Sequence, residues 1–74
     1  MQYSSTQNID VLINGEKKVV PEGLSVLELL RILAVEPDRV AVELNRSIVR
    51  RPQWETVRIE ASAQLEIVQF VGGG

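Results

Sequence analysis

The stretch at residues 25–38, SVLELLRILAVEPD, decides the fold. Ser25 is a good N-cap, and Glu28 three positions later completes a capping box, in which each side chain bonds the backbone of the other residue. Apolar residues then recur at helical spacing and form one stripe: Val26, Leu29, Leu30 and Leu33. Because Pro37 cannot continue a helix, the pattern predicts a helix of roughly ten residues that ends near Ala34.

Strand patterns lie on both sides of this helix. They comprise residues 9–14, 17–20, 40–45, 48–49 and 65–70, with turns expected at Asn14-Gly15 and Asn45-Arg46. Apolar and polar residues alternate along the longer segments, which is the period of a half-buried strand. A helix whose apolar stripe covers one face of such a sheet gives a two-layer domain. The sequence therefore predicts an α+β fold, with one main helix on one face of a mixed sheet of four or five strands.

The chain of 74 residues is long enough for one small domain. Residues 1–8 are mostly polar, and we expect them to form a flexible N-terminal leader. Residues 9–71 make up the predicted domain, and residues 72–74 a flexible glycine tail. The lone Trp54 is expected to cap the small core, although a contact with a partner is the other use of such a residue.

The residue inventory argues against catalysis. The chain has no Cys and no His, so it lacks a thiolate nucleophile, the usual zinc ligands and the side chain that most readily moves protons near neutral pH. The net charge is −2 and the basic residues form no dense run, which disfavours nucleic-acid binding. No apolar stretch approaches the ~20 residues of a membrane span. We therefore expect a cytoplasmic protein that is not an enzyme, holds no metal or cofactor, and binds neither nucleic acid nor membranes.

The C-terminus carries the unusual chemistry of this sequence. A strand pattern runs directly into Gly72, Gly73 and Gly74. Glycine has no Cβ, so such an end can enter a channel too narrow for side chains and present its terminal carboxylate there. That carboxylate becomes reactive once ATP converts it to an acyl adenylate. From this feature alone a frayed, inert tail is an equally open interpretation.

The sequence resembles the family of sulfur-carrier proteins of thiamine (thiazole) biosynthesis. The resemblance covers residues 9–74 and rests on LING, SVLELL, RVAVELN, PQW and LEIVQFVGGG. It implies a ubiquitin-like β-grasp fold. It also implies that a ubiquitin-activating-like adenylyltransferase adenylates Gly74 with ATP, and that a persulfide donor then provides sulfur for a thiocarboxylate. Thiazole synthase would receive this sulfur for the thiazole ring.

The N-terminus and two loops depart from the family pattern. Residues 1–8 extend beyond the usual start of the family. Asn45-Arg46 stands where Asn-Gly is common, so either Arg46 adopts positive φ or the turn is of another type. Residues 60–64, EASAQ, lack the usual Gly-Asp turn. None of these departures touches the tail.

Three residues near the tail are predicted to contact the partner enzyme: Val68, Phe70 and Val71. Phe70 alternates with Leu65 and Ile67, so it is expected on the sheet face away from the helix, where an exposed aromatic can serve as a contact. Glu43 and Glu66 are expected to face solvent and receive no catalytic role.

Other functions stay open at this point. A molybdenum-cofactor sulfur carrier has the same fold and tail, and a ubiquitin-like protein modifier would attach its tail to lysines. A β-grasp interaction module with an inert tail belongs to a different class, and an independent enzyme is the weakest option. We expect the free protein to be monomeric.

Overall fold

The computed structural model describes residues 7–70. In chain order its elements are β1 (Asn8–Ile13), β2 (Glu16–Pro21), α1 (Val26–Ile32), a 3-10 turn (Pro37–Arg39), β3 (Val40–Leu44), β4 (Ser47–Val49), a second 3-10 turn (Arg51–Gln53) and β5 (Gln64–Gln69). The strands form one sheet in the order β2-β1-β5-β3-β4. β5 runs parallel to β1 and antiparallel to β3, and the two hairpins are antiparallel. The predicted α+β fold with a mixed sheet is confirmed.

The helix begins with the predicted capping box. The backbone N–H of Glu28 donates to Ser25 Oγ at 3.1 Å, and the N–H of Ser25 donates to Glu28 Oε1 at 2.9 Å. These two bonds satisfy N–H groups that have no partner inside the helix. Leu30, from the middle of the predicted stripe, is fully buried against the sheet.

The helix ends earlier than the sequence pattern indicates, because Ala34 takes the left-handed conformation with φ 60°. The N–H of Ala34 donates to the carbonyl of Arg31 at 3.1 Å, and the N–H of Val35 donates to that of Leu30 at 3.3 Å. This pair of bonds is a Schellman motif, which closes a helix C-terminus and usually has glycine where Ala34 stands.

The core lies between α1 and the inner face of the sheet. Its buried members are Val11, Ile13, Val20, Val26, Leu29, Leu30, Val40, Val42, Val49, Trp54, Ile59, Ala63, Leu65 and Ile67. Trp54 is 3% exposed, and its indole N–H donates to the carbonyl of Val49 at 2.8 Å. The structure therefore places Trp54 in the core, as the sequence predicted.

Both hairpins close through two-residue turns with positive φ at both central positions. Asn14 and Gly15 have φ of 52° and 83°, and Asn45 and Arg46 have φ of 51° and 73°. Such turns match the twist of the strands and favour Asn-Gly. Arg46 therefore adopts a backbone conformation that its Cβ disfavours.

The boundaries of every strand differ from the predicted ones by one residue at one or both ends. β1 begins at Asn8, the last residue assigned to the leader, and the carbonyl of Gln7 accepts from the N–H of Glu22 at 2.8 Å. β5 spans Gln64–Gln69, although the N–H of Phe70 still donates to the carbonyl of Arg39 at 2.7 Å. Residues 1–6 and 71–74 lie outside the described part of the chain, so the flexible leader and tail stay predictions. Within residues 7–70, no helix is long and apolar enough to cross a membrane.

Candidate partner-binding face at the end of the last strand

Strand β5 leads to the predicted reactive end from the middle of the sheet. It lies between β1 and β3, so it has a neighbour on each side. The central position in the sheet fixes the place from which the chain leaves the domain. Val71 and the predicted tail residues Gly72, Gly73 and Gly74 lie outside the described residues.

The side chains of β5 alternate between the two faces of the sheet. Leu65 and Ile67 are 1% and 8% exposed and pack in the core. Val68 and Phe70 are 56% and 57% exposed, and Phe70 continues the alternation one residue beyond the strand. Both residues therefore lie on the face away from α1, where the sequence placed Phe70. Their contact with a partner stays a prediction.

Neighbouring strands extend the apolar surface around Val68. Ala41 on β3 pairs directly with Val68, and Ile48 on β4 is 72% exposed. We call Ala41, Ile48, Val68 and Phe70 the outer apolar patch. A shallow depression of about 90 Å³ in it is lined by Ala41, Val42, Glu43, Ile48, Glu66 and Val68. Exposed apolar surface of this kind marks an interaction site more often than a random surface position does.

Sequence reasoning missed Ala41 and Ile48 as members of this face. Ile48 lies in a three-residue strand, which is too short for an alternation pattern to show which of Ile48 and Val49 points inward. The structure pairs Ile48 with Glu43, whose side chain is exposed, and Val49 with buried Val42. The face of the sheet on which Ile48 lies is thus determined by pairing between strands and not by the local sequence.

Two carboxylates stand beside the outer apolar patch. Glu43 and Glu66 are direct partners across β3 and β5, and both are exposed. Like charges directly opposite each other on a sheet disfavour the pairing. Their two negative charges give the face a negative character next to its apolar part. Among residues 7–70, no cluster of three or more acidic side chains could hold a metal ion.

The end of β5 is held differently on its two sides. On the β3 side, the N–H of Phe70 donates to the carbonyl of Arg39. On the β1 side, the carboxamide of Asn14 bonds both backbone groups of Ile67: Ile67 N–H donates to Oδ1 at 2.7 Å, and Nδ2 donates to the Ile67 carbonyl at 3.1 Å. A side chain from the first hairpin turn thus fixes the strand three residues before Phe70.

Comparison of the sequence and the fold with known proteins identifies the family. The sequence profile of the ThiS family matches residues 5–74. The crystal structure of the thiamine biosynthesis protein ThiS from Geobacter metallireducens superposes with a TM-score of 0.79 at 32% sequence identity, covering 89% of this chain and 100% of that one. The similarity in fold extends over nearly the whole domain.

Two relatives in sequence are much longer proteins. One is named thiazole synthase, from Magnetococcus marinus, and is 37% identical over 62 residues, which are 84% of this chain and 19% of that protein. A second thiazole synthase, from Paramagnetospirillum magneticum, is 39% identical over 64 residues, which are 86% of this chain and 20% of that protein. The chain spans about a fifth of the length of these relatives.

The family match extends over nearly all of the chain, and the one-helix, five-stranded mixed sheet agrees with the ThiS β-grasp fold. The predicted β-grasp fold and the predicted family are therefore confirmed. The chain belongs to the ThiS family.

Proposed function

We propose that this chain carries sulfur for thiamine biosynthesis on its C-terminal carboxylate, at Gly74. The observation that carries the proposal is the family match, which extends to residue 74 and so includes all three glycines. In this role the chain is a co-substrate of its partner enzymes and not an enzyme. The cytoplasmic location and the monomeric state expected from the sequence stay predictions.

Loading takes three chemical steps on partner enzymes. A Gly74 carboxylate oxygen attacks the α-phosphorus of ATP and pyrophosphate leaves, which gives an acyl adenylate. The terminal sulfur of a persulfide donor then attacks the acyl carbon and AMP leaves. A thiol attacks the donor sulfur of the resulting S–S bond, forms a disulfide with the donor and releases the thiocarboxylate. The first step belongs to a ubiquitin-activating-like adenylyltransferase.

Gly72 and Gly73 serve the first step by what they lack. Without a Cβ, they leave the backbone narrow and free to adopt the angles that a nucleotide site demands. A carboxylate must lie close to the phosphorus, in line with the leaving group, before the reaction proceeds at a useful rate. The glycines thus allow entry, and the folded domain provides the surface that the enzyme recognises.

The outer apolar patch is the surface we assign to that recognition. It contains Val68 and Phe70, and Val71 follows directly in sequence. The exposure of Val68 and Phe70 and their short distance along the chain from Gly74 support this assignment. An aromatic anchor surrounded by smaller apolar residues is typical of the centre of a protein interface.

Thiazole synthase is the partner we propose for sulfur delivery. In two relatives with that name, the segment similar to this chain makes up about a fifth of the protein. A carrier joined to a synthase in one polypeptide supports the same pairing between separate chains. The sulfur of the thiocarboxylate would enter the thiazole ring there.

ATP–pyrophosphate exchange with the adenylyltransferase tests the proposal. Wild type should support exchange. Gly73→Val should fold normally and lose exchange, because a β-branched side chain makes the tail too wide for a narrow channel and restricts its backbone angles. One residue added after Gly74 should also abolish exchange, since it displaces the carboxylate by up to ~3.5 Å. Equal exchange by wild type and both variants would show that the tail is not the reactive end, and no exchange by wild type would support the interaction module with an inert tail instead.

A further inference from the structure

The backbone N–H and carbonyl groups of successive β5 residues face β3 and β1 in turn. The N–H of Asn45 donates to the carbonyl of Gln64 at 2.7 Å, and the N–H of Phe70 donates to the carbonyl of Arg39 at 2.7 Å. In an antiparallel pair, bonded and non-bonded residue pairs alternate. Even-numbered residues from 64 to 70 therefore bond β3. The N–H and carbonyl of Gln69, which pairs with Val40, face the opposite edge.

On the β1 side of β5, the last hydrogen bonds are made at Ile67, two residues before Gln69. The N–H of Leu12 donates to the carbonyl of Ala63, and the N–H of Asn14 donates to that of Leu65, both at 2.9 Å. The next step, at Ile67, is made by the Asn14 side chain, because β1 ends at Ile13.

In the register of β1 and β5, which pairs only Leu12 with Gln64 and Ile13 with Leu65, no residue of β1 lies opposite Gln69. Within residues 7–70, the backbone N–H and carbonyl of Gln69 therefore have no partner on the β1 side. The edge is therefore open where the chain leaves the sheet.

An open groove of about 270 Å³ lies beside this edge. Its lining residues are Ile13, Asn14, Glu16, Lys18, Leu33, Val35, Ile67 and Gln69. Because α1 ends at Ile32, the helix does not cover the sheet here. The apolar residues form the wall of the groove. Glu16 and Lys18 lie at its rim and form an ion pair, with 3.6 Å between Glu16 Oε1 and Lys18 Nζ. The groove can take an apolar side chain next to the free backbone groups.

We propose that the adenylyltransferase adds an extended segment to this edge, pairing its backbone with Gln69 and placing an apolar side chain in the groove. The inference rests on the proposed function and names how the enzyme holds the chain. Gly72 and Gly73 offer no side chains to grip, so backbone groups are what the enzyme can bind between the domain and the carboxylate. Strand addition uses these groups and takes its specificity from pockets for alternate side chains.

We favour a segment of the adenylyltransferase at this edge because the edge leads directly into the tail. Gln69 is the last strand residue before the segment that must enter the nucleotide site. An enzyme strand bonded at Gln69 fixes the direction in which residues 71–74 continue, and such fixing raises the rate of a positioned reaction. A second copy of this chain pairing at the same edge is the other occupant that the test distinguishes.

The test compares Gln69→Pro with Gln69→Ala in the full chain, using ATP–pyrophosphate exchange with the adenylyltransferase. Proline removes the N–H that faces the open edge and leaves the bonds to β3 intact, and it suits strand positions whose N–H is unpaired. We expect Gln69→Pro to lose about tenfold or more in kcat/KM, as the loss of a bound backbone donor predicts. Gln69→Ala keeps the backbone N–H and should lose clearly less than Gln69→Pro, because the strand pairing is made by backbone groups.

Phe70→Pro is the matched folding control, because it removes the N–H that donates to Arg39 and should lower the thermal midpoint. Gln69→Pro should keep the wild-type midpoint. If it does not fold, semisynthetic protein with an ester in place of the Val68–Gln69 amide removes the same N–H without the ring. The ester protein should then show the same loss of exchange.

Three results would overturn the inference. The first is a folded Gln69→Pro or ester protein that exchanges as fast as Gln69→Ala. In the second, Gln69→Ala loses as much as Gln69→Pro, which would assign the contact to the side chain. The third is a wild-type dimer in sedimentation that Gln69→Pro converts to monomer, since a second copy would then occupy the edge. Failure of wild type itself to exchange would reject the proposed function instead.

Discussion

The carboxamide of Asn14 bonds both backbone groups of Ile67, a residue 53 positions further along the chain. Oδ1 accepts from the Ile67 N–H at 2.7 Å, and Nδ2 donates to the Ile67 carbonyl at 3.1 Å. The side chain takes the place of the peptide unit that β1 would provide if it ran on. The positive φ of Asn14 closes the hairpin, so one residue both turns β1 and extends its ladder.

Asn14→Gly should lower the free energy of unfolding by about 1–3 kcal/mol, because two partly buried backbone groups of Ile67 lose their partners. Glycine keeps the positive φ of the turn, so the change isolates the side-chain bonds. Asn45→Gly is the matched control: Asn45 also has positive φ, but among residues 7–70 its side chain makes a single hydrogen bond, accepting from the N–H of Gln64. Its cost should be below about 1 kcal/mol. Urea denaturation measures both, and equal costs would contradict the special role of Asn14.

Arg46→Gly and Ala34→Gly should each raise the stability by about 0.5–1 kcal/mol. Both residues have positive φ, at 73° and 60°, where a Cβ is disfavoured. The gain is partly offset by the greater freedom of glycine in the unfolded chain. Ala61→Gly is the control, because Ala61 is exposed and is not among the positive-φ residues. Thermal melting should show a gain for the first two variants and none for Ala61→Gly. A loss at Arg46 would show that its side chain stabilises the turn.

The sequence predicts the parts of this fold that depend on local patterns. The capping box at Ser25 and the stripe through Leu30 follow from helical spacing, and the structure contains both. The end of the helix is harder to predict, because the left-handed residue that closes it is Ala34 and not the glycine that usually marks such a position. The alternation that separates Val68 from Ile67 was also predictable, since it needs only the period of a strand.

The features that depend on strand order could not be predicted from local patterns. Asn14 is a strong turn signal, but nothing near it in sequence indicates a bond to Ile67. The open backbone at Gln69 follows from where β1 ends relative to β5, which is a property of register. Ile48 joins the outer apolar patch for the same reason, since its face is assigned by pairing with Glu43. Long-range pairing fixes these positions, and a single sequence carries little information about it.

Phe70→Ala should change stability little and partner binding more. The ring is 57% exposed, whereas the side chain of Leu65 is 1% exposed in the core. Leu65→Ala should cost roughly 2–5 kcal/mol in unfolding free energy. Phe70→Ala should weaken binding to the adenylyltransferase by about 1–2 kcal/mol if the ring is an anchor. Calorimetric titration and urea denaturation give the two quantities. A folding cost at Phe70 equal to that at Leu65 would place the ring in the core and remove it from the partner surface.

Acid should weaken the N-terminal cap of α1. The N–H of Ser25 bonds the Glu28 carboxylate and holds the pKa of Glu28 below its ordinary value of 4.5. Desolvation opposes this pKa shift, and the Ser25 hydroxyl, Arg58 and Arg31 add to it. A carboxyl whose pKa is lower in the folded state stabilises the fold above its unfolded pKa, and this contribution is lost as the pH falls through the folded value. The stability gap between wild type and Glu28→Gln should therefore shrink from neutral pH to about pH 3. A gap that stays constant over this range would contradict the charge-dependent cap.

The most direct test of the central claim is the intact mass of the protein after incubation with ATP, the adenylyltransferase, a persulfide donor and a thiol. We expect a mass increase that corresponds to one oxygen replaced by one sulfur, located by peptide mapping at Gly74, with no increase for Gly73→Val. An unchanged wild-type mass, in a reaction where the same adenylyltransferase and donor load a different ThiS protein, would contradict the claim that this chain carries sulfur.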